Sequence, residues 1–393
     1  MSGPTSLDVL TKPSLLSNPF KLILLVLRAA LTLSLWLGIS NAISFAESPT
    51  SPAEAEPTPT PPLNLPARSV VYRTTSASAI QDYNVDSWQV RRMIDTLILN
   101  LTGASSTASA WASFVKPTDV VGLKVCVNGA PLFSTHPAIV EAIAAGLREA
   151  GVPPQNIVVW DRQEGQLLLA GYRKRSGTYR LEWSENNYDP QVALTSPVAG
   201  QLIYGDLLFV SLHGPNPSAE LQLAPKRTLS MNLSNESHVS NVLSREVTKV
   251  INLPVLDDNA YCGLSGALFN MTVQNVDNWR RLVQVPGRGD PYIPEMYADP
   301  RISSKVALTI MDGLIALYAG GPTGDPNYAI HLGALFASKD PVAIDALALK
   351  YLDAWRLGAK MNTATKLANY VNSASQLQLG NSDLARIDVR DVR

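Results

Sequence analysis

The chain has 393 residues, with 32 lysines and arginines against 33 aspartates and glutamates, and 46% of it is hydrophobic. That much apolar material can bury one sizeable core or two smaller ones. The near-balance of charge supplies neither a basic excess nor an acidic run, so no nucleic-acid partner is expected.

The N-terminus carries Lys12 and Lys21, an apolar run from Leu22 to Ile39 broken by Arg28, and a small-x-small ending at Ser44-Phe45-Ala46. These features describe a secretory signal peptide over 1–46, cleaved after Ala46 or Ala42. An uncleaved anchor is the competing reading: the run is about long enough to span a bilayer, but Arg28 in its middle would cost roughly 3 kcal/mol. Export to the periplasm or the extracellular space is expected, with membrane contact only through this segment if it stays attached. Residues 47–67 are rich in proline, threonine and glutamate, cannot bury enough surface to offset their ordering entropy, and predict an extended linker. No second apolar run of that length follows.

The remainder, 68–393, predicts a single domain. Ser87 to Leu101 places Val90, Met93, Ile94, Leu97, Ile98 and Leu101 on one helical face. Asp119 to Val127 is a largely buried strand. Ser134 or Thr135 then caps a helix with Pro137 in its first turn and Gly151 past its end, and Asn156 to Trp160 is the next strand. Strand, capped helix and short strand make a βαβ unit, which implies parallel pairing. Further strands are predicted over Asp206 to Leu212, Val247 to Leu253, Lys305 to Met311 and Ile330 to Ala337, and helices over Asp340 to Trp355 and Thr363 to Leu377. Residues 165–245 cluster polar side chains without a helical period and read as an irregular insertion with antiparallel pieces such as Thr228 to Leu233. The fold class is therefore α/β: a mixed, mostly parallel sheet flanked by helices, with that insertion in its middle.

In open α/β sheets ligands sit beyond the carboxyl ends of the strands. Several predicted strands end there in a polar or ionisable group: Asn128, Asp161 with Arg162, His213, Asn252 and Asp312. Asp161 and Asp312 are the candidate catalytic acid/base groups; Asp161 and Arg162 read alternatively as a surface ion pair, but Asp161 ends an apolar strand and is the better site candidate of the two. Lys124 lies inside an apolar strand, where an unpaired ammonium is expensive, so it needs a partner or a ligand anion. Lys124, Asn128 and Asn252 are ligand-binding candidates, while asparagine also serves turns. Asp340 and Pro341 are accounted for as a helix cap and first-turn residue. Asp345, one turn on, has no such account and joins the ligand-binding set.

Gly320-Gly321-Pro322-Thr323-Gly324 lacks the ending of a P-loop. Cys262-Gly263-Leu264-Ser265-Gly266 lacks the nucleophile-elbow spacing, which argues against a serine hydrolase.

The most distinctive stretch is INLPVLDDNAYCGLSGALFNM at 251–271, an apolar strand pattern that breaks into a turn dense with Asn252, Pro254, Asp257, Asp258 and Asn259. In the same chain stand VGLKVCVNG at 121–129, PAIVEAIAAGLREAG at 137–151, IVVWDR at 157–162, MDGLIALYAGGPTGDP at 311–326 and GALFASKDPVAIDALALKYL at 333–352. Together, over roughly 115 to 390, these resemble the family called domain of unknown function 362. Its members carry an N-L-P-K-x-K-x-H-like segment ending in a T-G-x-x-K-N-like one. The resemblance implies a fold and a site but no reaction, makes Lys124 part of the motif, and adds Asn270 to the ligand-binding set.

The departures matter. Asp257 and Asn259 stand where relatives have a lysine and a histidine, and Phe269 replaces a lysine ahead of the retained Asn270. Losing cations and gaining carboxylates favours a hard divalent cation, for which Asp257 and Asp258 are the candidate ligands. Only Cys126 and Cys262 are present, so no iron-sulfur cluster is expected. A disulfide between them and two buried free thiols are both open readings. Three functions follow: an exported enzyme acting on a small polar or anionic molecule, a non-catalytic binder of a small molecule or metal, or a membrane-tethered scaffold.

Overall fold

The computed structural model describes residues 67–194, 204–205, 233–234, 236–283 and 288–393. The signal or anchor segment, most of the linker, the predicted 206–212 strand, His213 and most of the 228–233 piece lie outside them. Among the described residues no helix is long and apolar enough to cross a membrane.

An 11-stranded sheet organises the domain. Its strands in chain order are β1 (Ser69–Thr75), β2 (Val121–Val125), β3 (Ile157–Asp161), β4 (Arg180–Trp183), β7 (Lys249–Leu253), β8 (Val255–Asn259), β9 (Gly263–Leu264), β10 (Val306–Leu317), β11 (Ala329–Ile330), β12 (Ala334–Ser338) and β13 (Ile387–Val392). Between β4 and β7 in sequence lie β5 (Tyr188–Leu194) and β6 (Ser237–Ser240), which pair antiparallel outside this sheet.

Across the sheet the order is β13-β1-β12-β10-β7-β2-β3-β4. From β10 to β4 every neighbouring pair is parallel, whereas β12 runs antiparallel to both β1 and β10. The sheet is thus mixed and mostly parallel. The predicted insertion is irregular only in part: β4 continues the parallel sheet beside β3, while β5 and β6 form the antiparallel piece.

Helices cover both faces. The first, α1 (Ser87–Thr102), starts where the Asp86 carboxylate accepts from the Trp88 and Gln89 amides and stops at Gly103 in the left-handed region. Its apolar face, Val90, Met93, Ile94, Leu97 and Ile98, is buried as the spacing requires. With α2 (Thr107–Ala112) and α3 (Pro137–Glu149) it covers one core, which receives Leu123, Val125 and Val159 from the strands. The other core gathers α4 (Ala267–Met271), α5 (Pro341–Gly358) and α6 (Tyr370–Gln376) against residues of opposite parity such as Val158, Trp160 and Val250.

Two local expectations change. The residue that caps α3 is His136, not Ser134 or Thr135, and its side chain makes no capping bond. The Thr135 hydroxyl instead donates to the Leu253 carbonyl, joining α3's approach to β7. The polar run after Pro254 is not a turn but β8, whose five residues are all buried. Pro254 interrupts the first strand, and the chain resumes beside the second half of β10, with Val255 opposite Asp312. Tertiary pairing thus overrides the turn propensity of Asp257, Asp258 and Asn259.

Candidate functional site

The carboxyl ends of β2, β3 and β7 carry one continuous hydrogen-bonded network. Lys124, next to the last residue of β2, is fully buried, and its ammonium donates to Asp161 Oδ1 at 2.7 Å, Val125 O at 2.8 Å and Asn270 Oδ1 at 3.0 Å. Asn270, on α4, returns its amide to Lys124 O and to Asn252 Oδ1, and Asn252 donates to Ala267 O. Asp161 accepts further bonds from the amides of Val127 and Arg162, both at 2.8 Å. Burial pushes the Lys124 ammonium below its usual range, against the pull of Asp161.

All three ammonium protons are therefore used within the chain. Lys124 holds Asp161, and Asp161 holds the turns that leave β2 and β3. Asn252 and Asn270, both ligand-binding candidates from the sequence, tie this network to α4.

Beyond the network opens a cavity of about 300 Å³. Of the sequence candidates, Asn128 and Asp161 reach its wall, as do Asn259 and Phe269 from the distinctive stretch. Much of the wall comes from elsewhere: Arg162 and Gln166 after β3, Glu185 and Tyr188 around the start of β5, and Gln274, Asp277, Trp279 and Arg280 after α4. Of these the sequence marks only Arg162, as a rim residue or half of a surface ion pair, because the 274–280 stretch has no periodicity. Its tryptophan followed by arginines was the available signal.

The electrostatics of this wall are mixed. The guanidinium groups of Arg162 and Arg280 each lie 4.9 Å from the Trp279 ring centroid, within cation–π range. Arg162 donates to the Val273 carbonyl, but its Nε is buried without a partner among the described residues. Burial pushes its guanidinium pKa down. Gln274 is 4% exposed, and its Oε1 likewise has no partner, nor does Oε1 of Gln166. Tyr188 is pushed up to about 12 by burial and keeps its proton at neutral pH. Asp277 accepts from both the backbone and the ring of His238.

The other sequence candidates lie apart from this wall. Asp312, within β10, accepts from Nδ1 of His136 at 2.7 Å, from the His136 amide at 2.9 Å and from the Leu314 amide at 2.9 Å. Desolvation opposes protonation of His136, but the charge and hydrogen bond of Asp312 prevail and raise its pKa.

Asp345 also has a structural task. Its carboxylate accepts from the Ala267 and Leu268 amides and so caps α4, which has no side-chain cap of its own. Burial pushes it up to about 7 against those two bonds.

Asp257 and Asp258, the candidate metal ligands, are both buried in β8. Burial raises both carboxyls, Asp257 well above the usual range, and Asp258 accepts from the Gly321 amide and from Arg356. Among the described residues no three His, Cys, Asp or Glu side chains gather as a metal-ligand set. Cys126 and Cys262 are free thiols, not a disulfide.

Residues 218–350 match the family described as Domain of unknown function (DUF362). Over those residues the chain is similar to that family. The match includes Asn252, Asp257, Asp258, Asn270, Asp312 and Asp345, together with the Gln274–Arg280 side of the cavity. Lys124, Asn128, Asp161 and Arg162 precede it, so the cavity joins the DUF362 match to the βαβ unit before it. The wider likeness read over 115–390 exceeds this match.

The crystal structure of a protein from Thermotoga maritima is 10% identical with a TM-score of 0.37, over 72% of this chain and 61% of that one. The chain thus spans less than two thirds of that protein, and at this score the likeness bears no argument. No curated protein matches the chain.

Proposed function

We propose that the domain is a binder that captures a small polar molecule in the cavity beyond β2 and β3. The observation that carries this reading is a pair of cavity-lining residues, Arg162 and Gln274, whose Nε and Oε1 are buried with no partner among the described residues. A buried donor or acceptor left unpaired costs about 1–3 kcal/mol, and a ligand that pairs with it recovers that cost. The volume, about 300 Å³, suits a small metabolite.

Binding is favoured over catalysis because neither sequence-derived acid/base candidate is placed for proton transfer. Asp161 is on the wall, but both of its oxygens already accept hydrogen bonds from Lys124 and two amides. Asp312 serves His136 and is not part of the wall. The signal-like pattern of residues 1–46 supports an exported binder, for which cell fractionation is the check.

The test is a thermal-shift screen of small metabolites on the full chain, repeated on Arg162→Met and Gln274→Leu. A ligand at a hundredfold its Kd stabilises by about 2.7 kcal/mol. At least one compound is expected to raise Tm in the native protein and to lose most of that effect in both variants. Equal shifts in all three proteins would place the ligand elsewhere.

A further inference from the structure

The charges on the cavity wall narrow the ligand's chemistry. Two cations, Arg162 and Arg280, face it, and three carboxylates, Asp161, Glu185 and Asp277. The Lys124 ammonium, 2.7 Å behind Asp161, neutralises one of these, leaving two positive and two negative groups. A pocket shaped for a simple anion would show a net positive wall, and one for a simple cation a net negative one. A balanced wall suits a ligand that is itself balanced.

The unsatisfied atoms have the same dual character. Arg162 Nε is a charged donor without an acceptor among the described residues, and a carboxylate oxygen is the strongest acceptor for it. Gln166 Oε1 and Gln274 Oε1 are acceptors in want of donors, with the Glu185 carboxylate lining the same space. A neutral sugar would satisfy the amides but give Arg162 Nε no charged acceptor. A dicarboxylate would satisfy the guanidinium and set its second charge against two glutamine oxygens and Glu185.

We propose that the cavity takes a free amino acid as its zwitterion, with the carboxylate on Arg162 and the ammonium on the Gln166, Gln274 and Glu185 oxygens. This rests on the reading of the cavity as a ligand site and specifies its occupant. The aromatic groups of Trp279, Tyr261 and Phe269, which complete the wall, provide an apolar surface for the side chain.

The experiment is calorimetric titration of the full chain with each of the free L-amino acids, with glucose and trehalose, and with succinate. The best amino acid is then compared with its N-acetyl and carboxamide derivatives. One or more amino acids are expected to bind, and blocking either end is expected to weaken binding at least tenfold, about 1.4 kcal/mol. Arg162→Met is expected to abolish the distinction between the acid and its carboxamide. Should that variant fail to fold, the derivative series on the native protein decides alone.

If a sugar or succinate binds and no amino acid does, or if the blocked derivatives bind as well as the parent, the zwitterion is overturned while the ligand site stands. If no probe of any class binds, both readings fall.

Discussion

The Nζ of Lys124 and Oδ1 of Asp161 meet at 2.7 Å with both side chains sealed from solvent, at the ends of adjacent parallel strands. Replacing one partner strands the other as an uncompensated buried charge, which typically costs about 3–5 kcal/mol, whereas replacing both by neutral groups costs much less. Lys124→Met is therefore expected to lower stability by that amount, and Lys124→Met with Asp161→Asn to recover a large part of it. Urea unfolding of the two variants measures the difference.

Asp345 makes stability depend on pH. Its folded carboxyl sits at about 7, against about 3.9 for a free aspartate. The native state therefore holds this proton after the unfolded chain has released it. The contribution is fully present below about pH 4 and is lost as pH rises through about 7. Asp345→Asn is expected to flatten the stability profile across that window, read by denaturant midpoints at several pH values.

The His136 imidazolium is held by Asp312, so its contribution is fully present below its ordinary pKa of about 6.5 and is lost as pH rises through the higher folded value. In Asp312→Asn only the desolvation remains, and the His136 pKa is expected to fall below that of a free histidine. An NMR titration of the imidazole reads both values.

Gly321 sits where a side chain cannot. A Cβ there would lie 2.0 Å from the Asp258 carbonyl oxygen and 2.8 Å from each of the Asp257 and Asp258 Oδ1 atoms. Gly321→Ala is expected to cost about 1–3 kcal/mol by overpacking and to shift Pro322 and Thr323, which belong to the cavity wall. Gly165→Ala, where a Cβ meets nothing within 4 Å, is the control. Thermal unfolding separates the two.

Burial pushes the Cys126 thiol up to about 12 and raises that of Cys262 as well. Thiolate is the reactive form, so neither residue is expected to react with a thiol reagent in the native protein, and both are expected to react at once in denaturant. Counting the modified thiols by mass decides it.

Much of this architecture was legible in the sequence where a pattern had one physical cause. The α1 stripe from Val90 to Ile98 and the Asp340-Pro341 start of α5 appear as read, because capping and amphipathic spacing are local. The lysine inside an apolar strand correctly signalled a partner, and that partner is Asp161. What sequence could not supply was long-range in origin. Val255–Asn259 becomes a buried strand only because β10 extends past the end of β7 to receive it. Asp345 looked unexplained because the helix it caps lies 77 and 78 residues earlier in the chain. The cavity wall from Gln274 to Arg280 shows no period, so its membership emerges only once β3 and α4 are packed.

The twelve residues of β10 contact β7 and β8 along one edge and β11 and β12 along the other. Releasing this strand would break both layers of apolar packing together, so it has no partial way to open. Amide protons from Leu308 to Leu317 should therefore exchange with solvent only when the whole domain unravels, while the rim segments around the cavity breathe on their own.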